Sequence, residues 1–159
     1  MTGHKAATEL IRLLGSGILR RPIGVLQVPP RWCARAGDLA VRLGVDYVDL
    51  RARLVEQLDP NQHTLGWSWE GLAAQLMQIA AQRPEVGSCT LIGNLDLLLA
   101  RFQPSECAHW WRSMHMAGPR YGLLLVLPTH AEQIFPDDAR ADWLAGGRLV
   151  EWTDQHGGV

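Results

Sequence analysis

Lysine is almost missing from this chain of 159 residues: fourteen of its fifteen basic residues are arginine, and Lys5 is the lone exception. Chemistry that needs a lysine inside the fold, whether a Schiff base or a phosphate-loop lysine, is therefore excluded. Cysteine is scarce too. Three scattered thiols, an odd number, make no disulfide framework and fit a reducing compartment. Charge of one sign is not in excess, since 15 basic side chains meet 16 acidic ones for a net charge of -1. No overall basic field then draws the chain to nucleic acid or to an anionic membrane. No apolar run approaches the roughly 18 residues of a membrane span, and Met1-Thr2-Gly3-His4-Lys5 opens no secretion signal. A soluble, cytoplasmic protein is expected. The catalytic and metal patterns GxSxG, CxxC and HExxH are all absent.

What is present is a globular composition, 47% hydrophobic and 19% charged, which excludes disorder. At this length area scaling gives about 8,000 Å² of folded surface against about 26,000 Å² for the extended chain, so roughly 69% is buried. That supports one domain with a core of its own. No repeat, low-complexity tract or linker divides it.

Apolar spacing places a short amphipathic helix over 6–14, stopped by Gly15-Ser16-Gly17. Ile23 to Val28 reads as a buried strand closed by Pro29-Pro30. A helix over 36–43 ends at Gly44. Asp46 to Leu50 follows as a short strand, then a helix through Leu54 and Leu58 that Asp59-Pro60-Asn61 breaks. Residues 69–82 repeat apolar positions at helical spacing, and Cys89 to Ile92 forms a third strand, running into Gly93-Asn94 and the apolar stretch Leu95 to Leu99. A tryptophan-bearing helix over 105–117, a strand from Tyr121 to Leu127, a helix over 137–145 and a strand from Arg148 to Trp152 complete the chain. Continuous apolar strands alternating with helices indicate a parallel sheet covered on both faces, a five-stranded α/β domain of three layers.

In such sheets ligands bind beyond the carboxyl ends of the strands. A phosphate loop, GxxxxGK[ST], would follow the first strand, its glycines letting amides curl round the phosphates while lysine neutralises them. The chain has Val28-Pro29-Pro30-Arg31-Trp32-Cys33-Ala34-Arg35 there. Val28 and Cys33 stand at the glycine positions, Ala34 at the lysine position and Arg35 at the hydroxyl position, so the framing is kept and the chemistry is gone. The third strand repeats this. A magnesium-ordering acid is expected at its end, but Gly93-Asn94-Leu95-Asp96 puts the nearest carboxylate, Asp96, three residues late. Gly93-Asn94 serves equally as a turn and Asp96 as a solvated or capping residue. Thr129, after the fourth strand, sits where related ATPases carry a polar sensor, and also where an ordinary loop or N-cap threonine would sit.

The order of these pieces, with Thr90 to Phe102 (TLIGNLDLLLARF) and Tyr121 to Thr129 (YGLLLVLPT), resembles the P-loop NTPase fold of the AAA+ and RecA-like kind over most of residues 20–152. Within it, the size and the Asn94 to Leu99 stretch resemble the small P-loop protein encoded in bacteriophage-exclusion (BREX) defence loci. In that family an LDN-hydrophobic-E segment takes the place of Ile92 to Asp96, and a V-D/N-L strand precedes a helix as in Tyr47 to Leu54. The resemblance implies a mostly parallel five-stranded P-loop-like sheet. Because the departures fall on the nucleotide-handling residues, it does not carry ATP binding with it.

Cys107, His109 and His115 share one helix without the i, i+4 pair that zinc needs, so two surface histidines and a buried thiol are the expected reading. Asp137-Asp138 after Pro136 is a paired carboxylate that more simply caps the following helix. Seven tryptophans are unusual beside two tyrosines and two phenylalanines. Trp110 and Trp111 point about 100° apart on a helix, so both are buried only if two surfaces are covered. Trp67 and Trp69 flank Ser68 at a helix start, and Trp32 lies in the degenerate loop. Arginines interleave with them (Arg31, Arg35, Arg101, Arg112), a pattern suited to a protein interface or to stacking on single-stranded nucleic acid. The near-zero net charge favours protein. The expected function is a non-catalytic P-loop-like accessory or scaffold without cofactor, bound to a larger ATPase or to copies of itself through Arg31, Trp32, Arg35, Trp110 and Trp111. The alternatives are an ATP switch with a replacement site of Arg31, Arg35 and Asp96, and a nucleic-acid-binding subunit.

Overall fold

The computed structural model describes residues 3–61 and 68–152; Trp67 lies outside them. Five strands form one sheet: β1 (Ile23–Val28), β2 (Asp46–Asp49), β3 (Cys89–Gly93), β4 (Gly122–Pro128) and β5 (Leu149–Glu151). Their order is β2-β3-β4-β1-β5 and every pairing is parallel. All six residues of β1 and all of β3 are buried, as are the first six of β4. These are the continuous apolar runs, as expected of strands covered on both faces. At the edge, β2 is half-buried throughout and carries the polar Asp46 and Asp49.

Alternation along each strand feeds two cores. Ile23, Val25, Leu123, Leu125 and Ile92 face one, while Leu26, Val28, Leu124, Val126 and Leu91 face the other. The second core is roofed by α1 (Gly3–Gly15), through Ala7, Leu10 and Leu14, and by α3 (Ala36–Leu43), through Leu39 and Ala40. Between β1 and α3 lies the one-turn helix α2 (Pro30–Ala34), which buries none of its residues. Gly44 ends α3 with φ 70°, a left-handed turn that a side chain would strain.

The first core is roofed by α4 (Leu50–Glu56), α5 (Trp69–Ala80), α6 (Leu95–Leu99), α7 (Pro104–Met116) and α8 (Asp137–Ala145). The architecture is therefore α/β/α in three layers, compatible with a generic P-loop-like topology. Among the described residues no helix is long and apolar enough to cross a membrane.

The tryptophan pair of α7 belongs to this core and not to an exposed surface. Trp110 is 0% and Trp111 1% exposed, which removes both from the expected interface. Two surfaces are covered because Trp111 stacks on Phe135 at 4.2 Å and meets Trp143 of α8 edge-on at 5.8 Å, while Trp110 packs edge-on against Trp111 at 4.8 Å. Trp111 Nε1 donates to the Ile134 carbonyl at 2.6 Å.

Candidate functional site

The path of the chain fixes where a ligand can enter. The connection leaving β1, through α2 and α3, runs over one face of the sheet, and that leaving β4, through α8, runs over the other. Adjacent strands whose connections part to opposite faces leave a crevice at their carboxyl ends. A cleft of about 740 Å³ opens there. Its walls are Pro30, Cys33 and Ala34 after β1, Asn94, Asp96 and Leu97 after β3, and Pro128, Thr129 and His130 after β4. Such a volume is typical of ligand sites, which span about 300–1,000 Å³.

Local structure explains each wall. At the end of β1, Pro29 and Pro30 supply no N–H, and the amides of Trp32 and Cys33 turn back to the Pro29 carbonyl at 2.9 and 3.4 Å. The segment that would curl round a phosphate is a closed helical turn. At the end of β3, Gly93 lies under Tyr47 of β2, and a Cβ there would come within 2.6 Å of the Tyr47 hydroxyl. The next residue, Asn94, adopts φ 62° and donates from Nδ2 to Asp49 Oδ1 at 2.9 Å. Asp49 also accepts from the Ala52 amide at 3.1 Å as N-cap of α4, so the ends of β2 and β3 are tied together. At the end of β4, the Thr129 amide donates to the Val28 carbonyl at 2.9 Å, and His130 takes φ 62°.

The electrostatics of the cleft are set by acid and apolar surface. Burial raises the Asp96 carboxyl, against the backbone N–H groups of Leu97 and of Asp96 itself. The Cys33 thiol is pushed up to about 12, by burial first and by the neighbouring Asp96 charge second, so it is neither nucleophile nor thiolate ligand at neutral pH. No arginine or lysine is among the lining residues.

The sequence-derived positions Cys33, Ala34, Asn94, Asp96 and Thr129 converge on this one cleft, with Val28 and Gly93 as the strand ends behind it. Leu97, Pro128 and His130 line it too; Leu97 is 47% exposed. Strand-end position was the signal available for Pro128 and His130. Arg31, Trp32 and Arg35 lie on or beside α2 but do not line the cleft. The half-buried Trp32 ring packs on Trp152 at 6.4 Å, with the guanidinium groups of Arg35 and Arg42 over it at 5.8 and 5.5 Å. Arg35 is also paired with Asp38 at 3.0 Å. Elsewhere Cys107 is buried, with Sγ donating to the Leu99 carbonyl at 3.3 Å, and His109 stacks on Trp69 at 5.7 Å. No protein-family model and no curated protein matches the chain.

Proposed function

We propose that this chain is a non-catalytic P-loop-like module that binds other proteins, an accessory or scaffold in a multi-protein complex. A single observation carries the reading. Where a phosphate cradle requires free amides and a cation, the chain has two prolines, a turn closed on Pro29 and, across the cleft, Asp96. A triphosphate would meet a carboxylate and apolar walls. An apolar side chain of a protein partner fits the same surface, with Leu97 at its edge. Beside it the half-exposed Trp32, flanked by arginine, is the residue type that carries binding energy at interfaces. The resemblance to the small P-loop protein of BREX loci makes a phage-defence complex the setting we propose.

Trp32→Ala tests this. Half-buried, Trp32 contributes less to stability than a core tryptophan, whose removal costs about 3–5 kcal/mol. The variant is expected to lose about 1–2 kcal/mol in urea unfolding, while association with copurifying protein or with itself, followed by sedimentation, weakens by about 2 kcal/mol or more. Unchanged association in a folded variant contradicts the interface.

A further inference from the structure

His130 also lines a second cavity, of about 220 Å³, between the carboxyl ends of β1 and β5 and the start of α8. Gln27 belongs to its wall. It is the polar interruption of β1, 5% exposed, and lies in register with Glu151 of β5. Its Oε1 accepts from Arg140 Nε at 2.9 Å. A guanidinium N–H can only donate, so chemistry fixes the orientation of the amide and leaves Nε2 as its other end. Among the described residues no group accepts from Gln27 Nε2. A side chain nineteen-twentieths buried thus presents an unused donor at a cavity wall.

Beside Ala131, Phe135 and His130, the charged part of the lining is mainly acidic. Glu132, Asp137 and Glu151 set three carboxylates against the one guanidinium of Arg140, leaving a formal charge of -2 with His130 neutral. That guanidinium is already bound to Glu151 at 3.1 Å. The amino end of α8 adds roughly half a positive charge, too little to reverse the sign. An anion is disfavoured. A metal ion does not fit either, because among the described residues no three His, Cys, Asp or Glu side chains are placed to hold one. A lysine side chain would satisfy the carboxylates and leave Gln27 Nε2 to water, whereas a cation beside a neutral acceptor meets both groups. The matching ligand is a cation with a neutral acceptor next to it.

We propose that this cavity captures a free peptide amino terminus, its ammonium drawn by the net negative charge of the lining and its first carbonyl accepting from Gln27 Nε2. The volume, about 220 Å³, leaves room for the first residue of a chain. This site is separate from the cleft of Asp96 and stands whether or not that cleft docks a partner.

Glycinamide is the minimal probe, an ammonium one carbon from a neutral carbonyl. Titrated into the full chain labelled with nitrogen-15, it is expected to give saturable amide shifts around Gln27, Glu132, Asp137 and Glu151, with a Kd of about 1–10 mM. N-acetylglycinamide lacks the charge and methylammonium lacks the acceptor, and each should bind about tenfold more weakly. Glu132→Gln, at a side chain 66% exposed and so harmless to the fold, should weaken glycinamide about threefold. Gln27→Met should bring glycinamide down to methylammonium. No saturable shifts at about 100 mM glycinamide, equal binding of glycinamide and methylammonium to the unmodified chain, or indifference to Glu132→Gln would each overturn the proposal.

Discussion

The carboxyl group of Asp96 stands half out of water at the mouth of the cleft, and among the described residues no basic side chain pairs with it. Its pKa is raised above the ordinary 3.8, chiefly by burial. A raised carboxyl pKa means that the folded state holds the proton more tightly, so stability falls as pH rises through the folded value. Asp96→Asn removes that penalty. The variant is expected to be more stable at pH 7, by about 0.5 kcal/mol for a half-buried site, with the gain vanishing in urea unfolding below about pH 4. A loss at neutral pH would show that the charge is stabilised by something other than the cleft described. His115 has the opposite sign. Arg148 Nη2 lies 2.9 Å from His115 Nδ1, and because a guanidinium only donates, Nδ1 must be the acceptor and the ring neutral. Burial first, then Arg148, with Arg21 adding to them and Asp142 opposing, lowers its pKa from 6.5. Stability is therefore lost as pH falls from about 6.5 toward the folded value. In His115→Gln the urea midpoint is expected to lose that part of its pH dependence; an unchanged profile would contradict the acceptor role.

Among the elements, those with long apolar patterns were legible and the one-turn helices were not. β1 lies at residues 23–28 as its apolar run indicates, and β4 is shifted by a single residue from the run that marks it. α2 and α6 have five residues each, too few to display a helical period, and their proline and leucine content reads equally as loop. The fate of Trp110 and Trp111 was hidden for a different reason. The helix geometry demands two covered surfaces, but the partners that cover Trp111, Phe135 and Trp143, lie 24 and 32 positions along the chain from it. For the candidate site, the missing glycine, lysine and hydroxyl were visible in the sequence, whereas the return of the Trp32 and Cys33 amides to Pro29 depends on backbone geometry. Gln27 gave no signal at all, because its neighbours come from strand register and from α8. Helix caps are the simplest element-scale test. Ser68 Oγ accepts from the Gly71 amide at 3.0 Å and starts α5, as its place before the periodic run indicates. Ser68→Ala is expected to cost about 1 kcal/mol in urea unfolding; a neutral effect would mean that α5 is held by its packed face alone.

At the scale of the whole molecule, the doubly wound path builds a crevice at the carboxyl edge of the sheet whatever side chains line it. Fold and function separate at that point: the topology supplies the cleft, and the residues decide what enters it. On the function proposed here, the cleft, with its largely apolar walls, Asp96 and closed first turn, does not take phosphates. Calorimetric titration with ATP and magnesium at physiological ionic strength tests this directly. The expected result is no binding tighter than a Kd of about 100 μM, which corresponds to roughly -5.5 kcal/mol and exceeds what one chance arginine contact supplies. A magnesium-dependent Kd below that value would contradict the account.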